Sequence, residues 1–337
     1  MAEVLSDFHA VVACDLYLDL RLYRVPKSVE RQLVAAFPKV EIVPVNVPGA
    51  SPICEGATIY WGNRITPEII NAMPNLCWIH FGSVGVNRAR TAKVIERNII
   101  VTSSKGMVVA SMVASALGFI TGLARGLLRS EVLRRQGKMS REAFDAYFDQ
   151  AHELVEQVCL IVGYGDVGKR LGEICRALGM KVVAIRRLEG ESRPELSASY
   201  FLDELADAVR SADYVVNLLP HTSETDRIFN EEIFSAMKRT TYFINIGRGE
   251  TVDEPAMIRA LSEGWIAGAG LDVFAIEPLP SQSPLWAMDN VMLTPHVAGL
   301  SAGYWPRQSE LFAFNLEHYL SGHIASMRNR VDMSKVL

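Results

Sequence analysis

The sequence predicts an α/β protein built from two parallel-sheet domains. Short β-branched and aromatic runs alternate with stretches of helical spacing along most of the 337 residues, and such alternation favours parallel strands joined by right-handed crossovers. An apolar run at residues 160–162 leads into a glycine-rich turn that is followed by a helical pattern. This order is typical of a dinucleotide-binding unit. The chain is long enough for two domains, each with its own core.

The N-terminal region forms the smaller of the two predicted sheets. Its strand patterns lie at residues 9–14, 42–45, 57–61, 76–81 and 99–102, with helical spacing at 29–37 and 67–73. The second helix is expected to begin at Thr66-Pro67, because proline is favoured in a first helical turn. The turn Gly82-Ser83-Val84-Gly85 follows residue 81 and presents N–H groups where parallel sheets bind ligands, although a plain tight turn explains it equally well.

Two segments separate this sheet from the glycine-rich turn. Residues 107–124 carry no charge but are rich in alanine, serine and glycine, so a helix packed on all sides is favoured over a membrane span. Residues 129–154 are highly charged and place Phe144, Tyr147 and Phe148 at helical spacing, which predicts an amphipathic helical excursion. An arm on a second subunit and a solvated surface helix are both open interpretations of this excursion.

The glycine-rich turn reads Gly163-Tyr164-Gly165-Asp166-Val167-Gly168. In a dinucleotide site the first glycine permits the tight turn, the second lets the pyrophosphate approach the backbone, and the third lets helix and strand pack closely. The phosphates then bind the N–H groups of the helix N-terminus. A structural turn is the alternative, and the flanking strand and helix favour the dinucleotide.

The second half continues the alternation of strand and helix in a regular form. Further strands are predicted at residues 181–185, 200–202, 213–219, 240–246, 267–273 and 291–294, with helices at 169–178, 203–210, 231–237 and 253–262. The closing helix, residues 304–320, has an apolar face, and the N-terminal sheet is its economical partner. We therefore expect a Rossmann dinucleotide-binding domain over residues 105–297, inserted in a flavodoxin-like substrate domain of residues 1–104 and 298–337.

Composition and charge narrow the class of partner. Hydrophobic residues make up 49% and charged residues 21%, and the formal net charge of −4 gives no electrostatic footprint for nucleic acid. The five cysteines are scattered, so reduced thiols are expected and a metal site is not. Glu3 and Asp7 stand where a signal peptide carries positive charge. The sequence predicts a cytoplasmic protein with a small-molecule partner and no membrane contact.

Three polar side chains follow predicted strands of the second sheet. Arg248 lies after the strand at 240–246, Glu277 after that at 267–273, and His296 after that at 291–294. Arginine can hold a carboxylate or a carbonyl oxygen with two hydrogen bonds, histidine exchanges protons near neutral pH, and a carboxylate fixes its tautomer. Each residue alone could be structural. Together, behind a dinucleotide turn, they predict carbonyl reduction by hydride transfer, with His296 as the acid/base.

Four motifs occur in a fixed order, namely Gly163-Tyr-Gly-Asp-Val-Gly168, Asn245-Ile-Gly-Arg-Gly-Glu250, Leu271-Asp-Val-Phe-Ala-Ile-Glu-Pro278 and Thr294-Pro-His-Val-Ala-Gly299. With them the chain closely resembles the D-isomer-specific 2-hydroxyacid dehydrogenases over nearly its whole length. The resemblance implies an interleaved two-domain subunit, usually dimeric, with the active site in the cleft between the domains.

The resemblance also implies roles for individual residues. Arg248 would bind and polarise the 2-oxo acid, His296 would be the acid/base, and Glu277 its partner. Val84 and Gly85 would receive the substrate carboxylate on their backbone. Glutamate at position 277 favours 2-hydroxy acids over formate, because the formate dehydrogenases of this superfamily carry glutamine there. Asp272 would hold the nicotinamide carboxamide, and the other cofactor contacts beyond the glycine turn would be Arg186, Arg187, Leu219, Pro220, Ile246, Gly247, Ala298 and Gly299.

Three features of the sequence depart from the family pattern. Arg186 and Arg187 stand at the end of the second Rossmann strand, where NAD-specific members carry an aspartate that binds the ribose hydroxyls. A guanidinium pairs with a 2′-phosphate, so the sequence predicts a preference for NADP(H), with NAD(H) as the alternative. Asn87 replaces an aspartate of many relatives, and the helix around residues 112–115 lacks a glutamate that is common there.

These observations predict an NADPH-dependent 2-oxoacid reductase of the glyoxylate/hydroxypyruvate reductase type. The main alternative is a dinucleotide-sensing regulatory protein on the same fold. The three catalytic positions and the lack of a basic surface argue against that alternative. A hydrolase that shares the cofactor fold is a third reading, and it normally needs a longer chain.

Overall fold

The computed structural model describes residues 9–17, 24–45, 55–145, 147–148, 151–186 and 194–333. The chain divides into two units: unit 1 comprises Met1–Val108 with Ser301–Leu337, and unit 2 comprises Val109–Leu300. Unit 1 is built on a five-stranded sheet and unit 2 on a seven-stranded sheet, and the named strands pair in parallel throughout. The predicted fold class, with two interleaved parallel-sheet domains, is confirmed.

The sheet of unit 1 has the strand order of flavodoxin-like proteins. Its strands are β1 (Ala10–Cys14), β2 (Val40–Pro44), β3 (Ile59–Gly62), β4 (Trp78–Phe81) and β5 (Ile100–Thr102). They lie in the order β2-β1-β3-β4-β5. The inner strands β3 and β4 are buried along their whole length, as expected for parallel strands covered on both faces.

Four of the α-helices in the described residues belong to unit 1. They are α1 (Lys27–Ala36), α2 (Pro67–Ala72), α3 (Ala92–Glu96) and, from the end of the chain, α11 (Tyr304–Leu320). Helix α2 begins as predicted, because Thr66 accepts a hydrogen bond from the Ile69 N–H and Pro67 occupies the first turn. Helix α11 covers an aromatic part of the sheet, where Phe312 stacks on Trp61 at 4.1 Å and on Trp78 at 5.4 Å between ring centroids. The C-terminal helix thus completes the core of the N-terminal sheet.

The sheet of unit 2 follows the Rossmann order with one additional strand. Its strands are β6 (Val158–Val162), β7 (Lys181–Ile185), β8 (Ala198–Tyr200), β9 (Tyr214–Asn217), β10 (Tyr242–Asn245), β11 (Gly268–Leu271) and β12 (Val291–Leu293). They lie in the order β12-β11-β10-β9-β6-β7-β8. The order reverses between β6 and β9, and ligands of such sheets bind beyond the carboxyl ends of the strands at this point.

Unit 2 contains seven α-helices within the part of the chain that the structure describes. They are α4 (Val109–Ala124), α5 (Leu127–Arg135), α6 (Arg141–Asp145), α7 (Asp166–Ala177), α8 (Leu205–Val209), α9 (Glu231–Ala236) and α10 (Glu254–Ser262). Helix α4 buries Ala116, Phe119 and Ile120 in the core with strands β6 and β10. Within the described ranges no single helix is long and apolar enough to cross a membrane, whereas α4 and α5 together, bent by 67°, reach that length and composition.

Among its described residues, the charged segment after α4 is helical in part, as two separate helices. Sequence spacing predicts an amphipathic helical excursion over residues 129–154, but helix α5 ends at Arg135 and the short helix α6 covers only Arg141–Asp145. Gly137 has a φ of 67° after the end of α5, which is a common backbone conformation just beyond a helix. Phe144 packs against Gly126, before α5, so its helical spacing does not reflect one continuous helix.

Candidate active site

The glycine-rich turn has the geometry of a phosphate-binding turn. Gly163 has a φ of 104°, and a Cβ atom at Gly168 would lie 2.6 Å from the Gly163 carbonyl oxygen, so neither position accepts a larger residue without strain. Among the described residues, a Cβ atom at Gly165 would meet nothing within 4 Å. Gly165 also precedes the first residue of α7, and no described side chain caps that helix. The open backbone at the start of a twelve-residue helix fits the pyrophosphate of a dinucleotide.

The other members of the turn lie at its surface or half-buried. Asp166 is exposed, whereas Tyr164 and Val167 are half-buried, and the Tyr164 N–H donates to the Ile185 carbonyl oxygen at 3.3 Å. Arg186 directly follows β7, is half-buried, and donates its backbone N–H to Tyr200 at 3.1 Å. The structure therefore places the Arg186 backbone beside the glycine turn, at the carboxyl end of the neighbouring strand. Arg187 lies outside the described residues.

A buried amide network joins the carboxyl ends of β9 and β10. Asn217 and Asn245 are opposite each other in the two strands, and the Asn217 Nδ2 donates to the Asn245 Oδ1 at 3.0 Å and to the Thr251 Oγ1 at 2.7 Å. The Asn217 Oδ1 accepts the Leu219 N–H at 3.0 Å. All three polar side chains are almost fully buried. We call Asn217, Asn245 and Thr251 the strand-end network.

The strand-end network holds the turn that carries Arg248. The Asn245 Oδ1 accepts the Gly247 N–H at 3.1 Å. The Arg248 carbonyl oxygen accepts from the Thr251 hydroxyl at 2.7 Å and from the Asn245 Nδ2 at 3.3 Å. The Arg248 side chain itself is exposed, with Nη1 donating to the Gly247 carbonyl oxygen at 2.7 Å. A rigid, buried base therefore supports an arginine that can reach a ligand.

Close backbone packing connects this turn to the segment that carries Glu277. A Cβ atom at Gly249 would lie 1.9 Å from the Phe274 carbonyl oxygen, so only glycine allows this approach. The Phe274 N–H in turn donates to the Glu277 Oε1 at 3.0 Å. The Glu277 Oε2 lies 2.6 Å from the His296 Nδ1. The structure therefore brings Glu277 and His296 into direct contact, at the strand edge that also carries Arg248.

The histidine has an unusual backbone conformation that Asp272 supports. His296 has a φ of 54°, a region that non-glycine residues rarely adopt and that is more common at functional sites. Its N–H donates to the Asp272 carbonyl oxygen at 2.7 Å. The buried Asp272 carboxylate accepts from the Thr294 hydroxyl at 2.6 Å and from the Val297 and Ala298 N–H groups at 2.8 and 2.9 Å. Asp272 thus fixes the turn on both sides of His296.

The remaining predicted residues differ in their exposure. Leu219, Ile246, Gly247 and Ala298 are buried, Gly299 is half-buried, and Pro220 is exposed at the carboxyl edge of the unit 2 sheet. The carbonyl oxygen of Gly299 accepts from the Ser111 hydroxyl of α4 at 2.9 Å. In unit 1, Val84 and Gly85 are both exposed after β4. No group of three histidine, cysteine or acidic side chains that could hold a metal ion occurs among the described residues.

Sequence reasoning did not identify the residues that support the site. Asn217 and Thr251 lie in none of the four motifs, and Asn245 opens one of them without an assigned role. Two asparagines in otherwise apolar strands are nevertheless a signal, because burying an amide is unfavourable unless it is hydrogen-bonded. Asp272 was expected to hold a carboxamide, and its observed bonds to the His296 turn were not expected. Its carboxylate accepts three hydrogen bonds, which leaves room for one further donor.

Known proteins share both the sequence and the fold of this chain. Residues 117–298 match the family described as D-isomer specific 2-hydroxyacid dehydrogenase, NAD binding domain. Glyoxylate reductase from Thermofilum pendens is 33% identical over 265 residues, which cover 78% of this chain and 77% of that protein. Glyoxylate reductase from Thermococcus kodakarensis is 32% identical over 264 residues, with 77% and 78% covered.

Solved structures agree with these sequence matches. The D-isomer-specific 2-hydroxyacid dehydrogenase of Xanthobacter autotrophicus Py2, crystallised with NADPH and MES, has a TM-score of 0.78 and 25% sequence identity. The superposition covers 98% of this chain and 100% of that chain. The resemblance predicted from the four motifs is thereby confirmed, and the chain belongs to the D-isomer-specific 2-hydroxyacid dehydrogenase family.

Proposed function

We propose that the protein reduces a small 2-oxo acid to the D-2-hydroxy acid with NADPH, as glyoxylate and hydroxypyruvate reductases do. The observation that carries the proposal is the contact of 2.6 Å between the Glu277 carboxylate and the His296 Nδ1, at the strand edge that bears Arg248. Relatives named glyoxylate reductase, at 32–33% identity, support the substrate class.

The proposed proton transfer uses the free nitrogen of His296. Among the described residues, Nδ1 has Glu277 as its partner and Nε2 has none, so Nε2 is the nitrogen that can donate to the substrate oxygen. The Glu277 carboxylate stabilises the imidazolium form and fixes the tautomer that remains after donation. The Phe274 N–H holds that carboxylate in place. Glu277 therefore orients the acid rather than acting on the substrate.

Arg248 and the exposed turn of unit 1 are assigned to substrate binding. The Arg248 guanidinium can bind the 2-oxo acid through two parallel hydrogen bonds and withdraw electron density from its carbonyl group. The Val84 and Gly85 N–H groups are assigned to the substrate carboxylate. NADPH, when bound, supplies the hydride to the carbonyl carbon. Asp272 is assigned to the carboxamide side of the cofactor through its remaining acceptor position.

The proposed preference for NADPH rests on Arg186. Its position at the end of β7 is where an acidic residue would hold the ribose hydroxyls of NAD. A guanidinium there forms charge-assisted hydrogen bonds with the 2′-phosphate of NADPH instead. The relative of Xanthobacter autotrophicus, which was crystallised with NADPH, supports this assignment.

A homodimer is the proposed assembly, with the segment around α5 and α6 as its contact surface. Leu127, Met139, Phe148 and Val155 are between 58% and 75% exposed. Met139 and Phe148 line one surface cavity together with Leu133 and Phe144. Exposed apolar groups that share a concave surface are typical of protein interfaces. A second copy of the chain is the occupant we assign to this surface.

Substitution of the histidine tests the reaction. In His296→Ala, turnover of glyoxylate and hydroxypyruvate with NADPH should fall about 10²- to 10⁴-fold, the usual contribution of a general acid. His323→Ala, which removes an exposed histidine from unit 1, is the control and should retain parental turnover. Near-parental turnover of His296→Ala on every 2-oxo acid would contradict the mechanism. Tight NADPH binding without turnover by the parent would instead favour a dinucleotide sensor.

A further inference from the structure

Hydrogen bonds that other groups donate to its backbone carbonyl oxygens hold the turn after β4 in place. The Ser104 hydroxyl lies 2.6 Å from the Phe81 carbonyl oxygen, and the Ser104 N–H donates to the Ser83 carbonyl oxygen at 3.0 Å. The Tyr304 hydroxyl of α11 donates to the Gly82 carbonyl oxygen at 2.5 Å. The Gly82 and Ser83 carbonyl groups therefore accept hydrogen bonds from other parts of unit 1.

The N–H groups at the tip of the same turn remain available. Within the described part of the chain, the Val84 and Gly85 N–H groups have no acceptor. Both residues are exposed, and a Cβ atom at Gly85 would meet nothing within 4 Å. The Ser83 hydroxyl donates to the Gly85 carbonyl oxygen at 3.0 Å, so this carbonyl is also engaged. Successive free N–H groups form a concave site for an anion when the carbonyl groups are engaged elsewhere.

A buried network fixes Ser104. Its hydroxyl lies 2.7 Å from the Gln308 Oε1, and the Gln308 Nε2 lies 3.2 Å from the His80 Nε2. The His80 Nδ1 contacts the Thr102 Oγ1 at 2.7 Å. Burial lowers the pKa of His80 to about 3, so the ring is neutral near pH 7 and its Nε2 can accept from Gln308. The Gln308 amide is thereby oriented with its oxygen toward Ser104.

We propose that Tyr304 and Ser104 are positioning residues for the substrate carboxylate: they hold the Gly82–Ser83 carbonyl groups so that the Val84 and Gly85 N–H groups are available to it. This inference rests on the proposed function, which assigns the carboxylate to this turn. It adds that α11, from the end of the chain, determines the shape of that subsite. Tyr304 contributes through one hydroxyl group, and its ring packs edge-to-face on Trp305 with 5.2 Å between centroids.

Tyr304→Phe tests the inference, because it removes the hydroxyl and keeps the ring. We expect the KM for glyoxylate to rise about two- to tenfold, the range typical for loss of one hydrogen bond. We expect kcat to stay within about twofold and the NADPH Kd to be unchanged, since the hydroxyl supports only the carboxylate turn. Tyr319→Phe removes a hydroxyl from the same helix and is the matched control, with parental KM expected.

Oxalate binding separates the positioning role from a structural one. Oxalate carries the carboxylate but cannot be reduced, and its Kd is measured by calorimetry with NADPH present. In Tyr304→Phe this Kd should rise about two- to tenfold, in parallel with KM; a loss of stability alone would change neither value in the folded fraction. Parental oxalate affinity in Tyr304→Phe would overturn the inference. Oxalate binding that weakens in Tyr304→Phe while the parent reduces no 2-oxo acid would overturn only the proposed function.

Discussion

The strand-end network offers a quantitative test of how the fold positions Arg248. Asn217→Leu keeps the approximate shape of the side chain and removes its three hydrogen bonds, which join it to Asn245, Thr251 and Leu219. The Asn245 amide and the Thr251 hydroxyl would keep their bonds to the Arg248 turn, but the buried Leu219 N–H would lose its acceptor. The substitution therefore tests both stability and activity.

The expected loss of stability follows from the bonds that disappear. An orphaned buried N–H costs roughly 1–3 kcal/mol, and each of the two lost donor bonds contributes about 1 kcal/mol. Together these values predict that the free energy of unfolding falls by about 3–5 kcal/mol. Asn290→Leu is the matched control, because within the described residues the Asn290 side chain donates two long bonds, of 3.3 and 3.4 Å, to carbonyl groups of unit 2. Asn290→Leu should lower the free energy of unfolding by less than Asn217→Leu does, and it should leave kcat/KM unchanged.

Urea unfolding followed by circular dichroism measures the stability, and NADPH oxidation with glyoxylate measures kcat/KM under conditions where each variant is folded. If the network sets the position of Arg248, kcat/KM in Asn217→Leu should fall about tenfold to hundredfold, or about 1.4–2.7 kcal/mol of transition-state stabilisation. Thr251→Val removes one bond to the Arg248 carbonyl directly and should show a smaller fall. Parental kcat/KM in both folded variants would refute the positioning argument.

Two further predictions concern the cofactor and the assembly. In Arg186→Asp the NADPH-to-NADH ratio of kcat/KM should fall about tenfold to hundredfold. The reason is that repulsion replaces a charge-assisted hydrogen bond of roughly 1.5–3 kcal/mol. An unchanged ratio would mean that Arg186 does not bind the 2′-phosphate. In Phe148→Asp the mass measured by sedimentation velocity should fall from dimer to monomer, while Leu178→Asp, which also alters an exposed apolar residue of unit 2, should remain dimeric. A monomeric parent would refute the proposed dimer.

Local patterns were sufficient for most of the fold. The helix expected at residues 304–320 is observed as Tyr304–Leu320. The helices expected to begin at Thr66-Pro67 and at residue 253 do begin there, with Thr66 and Asp253 as their hydrogen-bonded N-caps. These features depend on residues close in sequence, so spacing and capping chemistry predict them. The parallel sheets follow from the alternation of strand and helix, since parallel strands require a crossover.

The prediction at residues 129–154 holds only for the helices α5 and α6, and the aromatic residues on which it was based pack in different directions. Phe144 contacts Gly126, Arg129 lies over the Tyr147 ring at 3.9 Å, and Phe148 is 75% exposed. Helical spacing alone does not distinguish one amphipathic face from residues that serve separate contacts. Gly137 is a possible helix end in the sequence, but whether the helix ends there depends on the tertiary contacts of α6.

Some residues of the candidate site could be predicted from local sequence, and others depend on contacts between distant parts of the chain. Arg248, Glu277 and His296 could be selected because each follows a strand, and parallel strands end at one edge of a sheet. The pairing of Asn217 with Asn245 depends on strand register, which juxtaposes residues 28 positions apart. The contact between Gly249 and Phe274 likewise depends on how two turns pack. Such contacts become predictable only when strand order and register are known.

The stacking of Phe312 on Trp61 and Trp78 has a consequence for the order in which the protein can fold during synthesis. The ribosome completes β1–β5 early, but the helix that covers these indole rings emerges only after the whole of unit 2. Unit 2 can complete its sheet as soon as β12 is made. The sheet of unit 1, by contrast, keeps the indole rings of Trp61 and Trp78 uncovered until α11 has been synthesised. We therefore expect the nascent chain to need protection from aggregation at its first-made end, and chaperones to bind there until α11 arrives.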